Sequence, residues 1–97
     1  MVYTEISFLW DELKNAKNIK KHGLSFEEAQ FVFSDPSYIL KYDLNNSANE
    51  ERFKVIGKIN YSLLLVVFTE SSENKIRIIS ARHANKSERL IYEKHRK

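Results

Sequence analysis

At Pro36 the spacing of apolar residues along this chain changes, and that change restricts the fold more than any other feature of the sequence. Before it, apolar residues recur at helical intervals. After it the period is two, as in strands. Helices first and strands afterwards make an α+β domain, with the helices segregated from an antiparallel sheet.

Leu9, Leu13, Ala16 and Ile19 stand four, three and three residues apart, which predicts an amphipathic first helix with lysines on its other faces. Gly23 ends that helix as a left-handed cap. Ser25-Phe26-Glu27-Glu28 then reads as a capping box, in which the Ser oxygen and a Glu carboxylate satisfy first-turn amides. Phe26, Ala29 and Phe33 form the buried stripe of this second helix. Asp35-Pro36 closes it, because the residue before proline is pushed out of helical geometry.

Tyr38 to Tyr42 reads as a short edge strand, and the amide-rich stretch Asn45 to Asn49 as a loop. In Glu51 to Ile59, Phe53, Val55 and Ile59 face one way and Arg52, Lys54 and Lys58 the other, as in a half-solvated antiparallel strand. Leu63 to Phe68 is apolar on both faces and predicts a central strand. Asn60-Tyr61 and Glu70 to Asn74 supply the flanking turns, and Ile76 to Ala81 the last strand of a meander. A final helix starts near Asn85, with Glu88 completing a second capping box, and is too polar for deep burial. The expected domain, spanning residues 1–97, therefore has two N-terminal helices, a four-stranded antiparallel sheet and a C-terminal helix. A chain of 97 residues supports one core, so any site lies on the surface or in a shallow cleft.

Charged residues make up 30% of the chain, which argues against a membrane span. The absence of cysteine removes a disulfide framework, a thiolate nucleophile and a cysteine zinc site, and fits a reducing compartment such as the cytoplasm. Met1 to Phe8 carries neither the basic start nor the long apolar run of a secretory signal. The formal charge is only +3, but its distribution is uneven. Lys75, Arg77, Arg82, Lys86, Arg89, Lys94, Arg96 and Lys97 face only Glu88 and Glu93 in the last quarter, and Lys14, Lys17, Lys20, Lys21 and His22 form a second basic run. Such a surface attracts polyanions or an acidic protein.

His22, His83 and His95 are scattered and no acidic cluster has the spacing of a cation loop, so neither a metal nor a cofactor is expected. With only Gly23 and Gly57 in the chain there is no phosphate-binding glycine loop. RNA offers a reaction that needs neither metal nor protein nucleophile, since its 2′-hydroxyl attacks the adjacent phosphate. The protein then positions the backbone, neutralises charge on the non-bridging oxygens and moves protons. Arg52, Arg77 and Arg82 are candidates for the charge, since guanidinium is a fixed, permanently charged fork. Lys21 is a candidate for a backbone phosphate, and His22, His83 or Glu51 for the proton. Lys54, His83, Arg89 and Tyr92 are candidate RNA contacts, Tyr92 as a platform for a base. Each has a structural alternative: a cross-strand carboxylate for Arg77, a chain-end cap for Arg82, a helix end for His22, a strand lysine for Glu51, packing for Tyr92.

Order and separation add a further indication. Phe8-Leu9-Trp10-Asp11, Asn18, Lys21-His22-Gly23, Ser25 to Ala29, Val32-Phe33, Asp35-Pro36, Glu51-Arg52, Gly57, Leu65 to Glu70, Ile76 to Arg82, Glu88-Arg89 and Tyr92-Glu93 together resemble the BrnT family of bacterial toxins. The resemblance implies a RelE-like fold and a metal-independent endoribonuclease that inhibits translation. It also implies a cognate BrnA-like antitoxin whose DNA-binding part brings the complex to operator DNA. By position it carries over Lys21, His22, Glu51, Arg52, Arg77 and Arg82 as site residues, with Glu88 and Tyr92 behind them. The rival reading is a non-catalytic basic module that docks an antitoxin or an RNA.

Overall fold

The computed structural model describes residues 6–44 and 50–96. The amide-rich stretch read as a loop, Asn45 to Asn49, lies outside them. Five strands form one mixed sheet in the order β1-β5-β4-β3-β2, where β1 is Ser7–Leu9, β2 Ile39–Tyr42, β3 Phe53–Ile59, β4 Ser62–Ser72 and β5 Lys75–His83. The four antiparallel strands are those expected. The fifth, β1, corrects the all-antiparallel expectation: it runs parallel to β5, with Phe8 against Ile76, and is three residues long.

The first helix, α1 (Glu12–His22), differs from its expected stripe. Leu9 belongs to β1, while Leu13 and Ile19 are 74% and 46% exposed; the buried residues of α1 are Asn15 and Asn18. The reason lies in the sheet. Beyond Leu9 no described strand continues beside β5, and Asn18 takes that place: its Nδ2 donates to the Ala81 carbonyl at 2.9 Å and its Oδ1 accepts from the Ala81 amide at 3.1 Å. One side-chain amide thus satisfies both backbone groups of an otherwise open edge. Asn15 accepts from the Phe26 amide at 2.8 Å and ties α1 to the next segment. Asp11 caps the start of α1, and Gly23 ends it at φ 70°.

Ser25 and Glu28 form the capping box of α2 (Phe26–Ala29), which tightens into a 3₁₀ segment over Gln30–Ser34. Phe26, Ala29 and Val32 pack with Val55, Leu64, Val66, Phe68, Ile78 and Ala81 as the main core on one face of the sheet. Here Gly57 is required by close approach: a Cβ at that position would lie 2.9 Å from the Val32 Cβ.

The opposite sheet face is partly covered, which amends the half-solvated reading of β3 at the buried Ile56, while the last helix buries only Tyr92, in keeping with its polar sequence. α3 (Lys86–His95) starts in the capping box of Asn85 and Glu88 and lays Tyr92 on Ile56, Leu63 and Leu65. Tyr92 is 2% exposed. Its hydroxyl donates to Asp35 Oδ2 at 2.7 Å, and the same carboxylate accepts from the amides of Ser37 and Lys58. Burial disfavours the Asp35 anion, but these donors outweigh it and hold the carboxyl below its ordinary pKa. Burial, and then the Asp35 carboxylate, push Tyr92 up to about 12. The pair therefore joins α3 to the segment preceding β2.

Candidate active site

Strand β5 positions Arg77 and Arg82, two of the three arginines named as candidates for neutralising charge. Side chains five apart on a regular strand point to opposite faces. Here Val67 pairs with Ser80 and Phe68 with Ile78, so Ile79 is an extra residue, a β-bulge. Burial moves with it: Ile76, Ile78 and then Ala81 face the main core. Arg77 and Arg82 consequently share the α3 side of the sheet, separated by roughly 13 Å, the span from Thr69 to Leu65 on the facing strand at about 3.3 Å per residue.

Their surroundings differ. Arg82 makes a two-point pair with Glu88, at 2.9 and 2.8 Å, and also donates to the His83 carbonyl. Burial disfavours the Glu88 anion, but Arg82 and the Asn85 amide outweigh it and lower its pKa. Arg77 is exposed and, among the described residues, its side chain makes neither hydrogen bond nor ion pair. Its cross-strand neighbour is the buried Thr69.

Arg77 forms part of the wall of two adjoining depressions. One, of 230 Å³, is lined by Glu50, Glu51, Phe53, Thr69, Glu70, Ser71 and Arg77. The other, of 330 Å³, is lined by Leu9, Trp10, Asp11, Lys14, Arg77 and Ile78. The first holds three carboxylates around one guanidinium and the second two cations and one carboxylate. Arg77 is the boundary between an acidic and a basic compartment.

The remaining candidates divide around this centre. Glu51 shares the first depression with Arg77. Arg52 directs its Nε toward Glu50 Oε1 at 3.9 Å, which brings it to the margin of the same depression. Lys54 lies 3.9 Å from the buried Asp43 and lines a separate groove beside α3 with Lys41 and Glu88. Arg89 and His83 are exposed. Lys21 and His22 occupy the last turn of α1, where cations suit the helix dipole, and no hydrogen bond, ion pair or cavity among the described residues joins them to the arginines. Tyr92, read as a platform for a base, is instead buried under α3 and bonded to Asp35.

Thr69 and Trp10 escaped the sequence reading as site residues. Thr69 enters only through the strand register, and Trp10 through the parallel pairing of β1. Among the described residues no group of three or more His, Cys, Asp or Glu side chains could hold a metal ion, and no helix is long and apolar enough to cross a membrane.

Fold and site define a small α+β protein with a charged, guanidinium-centred cleft at one end of a mixed sheet. The chain belongs to the family of ribonuclease toxins, BrnT, of type II toxin-antitoxin systems, whose model matches residues 10–88. It is similar to the crystal structure of the ribonuclease toxin BrnT of Brucella abortus, with 28% identity, a TM-score of 0.63, and coverage of 84% of this chain and 99% of that one. No curated protein matches it in sequence.

Proposed function

We propose that this chain is an endoribonuclease toxin that cuts RNA by attack of a 2′-hydroxyl on the adjacent phosphodiester, without a metal, and so inhibits translation in the cytoplasm. The observation that carries this reading is the shared depression of Glu51 and Arg77, a carboxylate and an unengaged guanidinium within one 230 Å³ space. In the proposed reaction Glu51 takes the 2′-hydroxyl proton as the O2′–phosphorus bond forms. The phosphorus–O5′ bond breaks, the departing 5′-oxygen takes a proton from water, and a 2′,3′-cyclic phosphate remains. Arg77 neutralises the charge that grows on the non-bridging oxygens, with Arg52 supporting it from the margin. Arg82 serves mainly to hold α3 through Glu88. Lys21, His22 and Lys54 serve as more distant backbone contacts, with His83 and Arg89 on the exposed surface beyond.

A BrnA-like antitoxin with a DNA-binding part is the proposed inhibitor, and the joint complex the form that binds operator DNA. The basic character of the chain, at a net charge of +3, suits an acidic partner. The test is cleavage of RNA by purified protein in EDTA, with analysis of the ends. Cyclic or 3′-phosphate ends with wild type and their loss with Arg77→Ala are expected. Undiminished antitoxin binding without cleavage of naked or ribosome-bound RNA would leave only the non-catalytic module.

A further inference from the structure

The crevice on the other side of Arg77 has no part in that reaction as written. Its lining combines a half-buried indole, Trp10, with two cations, Lys14 and Arg77, at the point where β1 leaves the sheet and α1 begins. Trp10 is fixed from behind by an edge-on contact with Phe26, at 6.2 Å between ring centroids and 77° between planes. Asp11 spends Oδ1 on the amides of Leu13 and Lys14, so it acts here mainly as the cap of α1. At 330 Å³ the crevice lies at the lower end of the roughly 300–1,000 Å³ typical of ligand pockets.

We infer that this crevice is a nucleoside subsite, in which Trp10 stacks on a base while Arg77 and Lys14 hold the phosphate on that nucleoside's 5′ side. The inference rests on the proposed cleavage reaction for its polarity. In-line displacement sets the attacking and departing oxygens on opposite sides of phosphorus. With Glu51 on the acidic side receiving the 2′-hydroxyl proton, the departing 5′-oxygen points across Arg77 toward Trp10. The crevice therefore takes the nucleoside immediately 3′ of the cut bond, and its minimal ligand is a nucleoside 5′-monophosphate. The charge distribution agrees. The phosphate meets two cations and one committed carboxylate on this side, against three carboxylates on the other. Stacking on an indole accepts any base, so the subsite adds affinity and register without strict sequence choice.

Trp10 is the single tryptophan of the chain, so its fluorescence reports on this crevice alone. Titrating the purified protein with a nucleoside 5′-monophosphate should quench that emission saturably, and ribose 5-phosphate should leave it unquenched. The 3′-monophosphate should bind more weakly, and Arg77→Ala should weaken the 5′-monophosphate. For RNA cleavage, Trp10→Leu, which retains apolar packing against Phe26, should raise KM about five- to a hundredfold, the range for removing one base–aromatic stack, and Trp10→Phe, which keeps a smaller aromatic face, should raise it less. No saturable quenching by the 5′-monophosphate, or equal quenching by ribose 5-phosphate, overturns the subsite even if Trp10→Leu does not fold. Cleavage with wild-type KM by a folded Trp10→Leu overturns it while leaving the nuclease reading intact. Saturable, Arg77-dependent quenching by a protein that cuts no RNA keeps the subsite and removes the nuclease reading.

Discussion

Arg77 and Arg82 leave one strand on one side of one sheet, and almost everything else about them differs. Arg82 has a carboxylate waiting: Glu88 grips it at two points and is itself gripped by the Asn85 amide. Arg77 stands on the wall between two depressions with no partner among the described residues. The same side chain is a structural clamp in one place and a charge available to a ligand in the other. What decides is the next element in the chain. Arg82 lies beneath the first turn of α3, and Arg77 lies beyond its reach.

The comparison breaks most readily at the acidic side of Arg77. Replacing Glu51 by Gln keeps size and removes the proton acceptor, and the rate of RNA cleavage should fall about 100- to 10,000-fold with little change in thermal stability. An unchanged rate would move the proton transfer elsewhere. At the α3 end the effects should appear in stability instead. Tyr92→Phe deletes a 2.7 Å hydrogen bond to the buried Asp35 carboxylate, a loss of about 1.5–3 kcal/mol for a charged acceptor. Denaturant melts would measure it.

Tyr92 also gives the wild type an alkaline signature. Its folded-state pKa, about 12, exceeds the unfolded value near 10, so its contribution is complete below pH 10 and disappears as pH rises toward 12. Tyr92→Phe should lack that component of the loss. Arg82→Ala should cost somewhat less, about 1–2 kcal/mol, because its side chain is 37% exposed and solvent screens the pair. A double-mutant cycle with Glu88→Gln would isolate the coupling. The smallest effect is the acid limb: Asp35 and Glu88 titrate lower in the folded state than unfolded, so stability should fall as pH drops through and below about 4.

The sequence was most legible where local chemistry dictates local structure. Ser25 with Glu28 and Asn85 with Glu88 cap helices as read, Gly23 takes the left-handed turn, and Leu63 to Phe68 lies within the central strand. It was least legible where a distant backbone decides. Asn15 and Asn18 are buried because they bond to the Phe26 and Ala81 backbones, so the apolar period of α1 pointed to the wrong face. β1 has three residues and gains its identity only from pairing with β5. The bulge at Ile79 carries no glycine or proline to mark it, yet it sets which face Arg82 occupies. For the same reason Glu51, Arg52 and Arg77 could be named as candidates, while their separation from Lys21, His22 and Arg82 could not be foreseen.

The most direct test compares the two arginines. Arg77→Ala and Arg82→Ala should be assayed for RNA cleavage at a temperature where both are fully folded, with rates expressed per folded molecule. Removal of Arg77 should lower the rate about 100- to 1,000-fold, as for loss of one oxyanion-stabilising donor, while Arg82→Ala stays near wild type and melts earlier. The reverse order, with Arg82 essential and Arg77 dispensable, would contradict the placement of the reaction at the Glu51 end of the sheet.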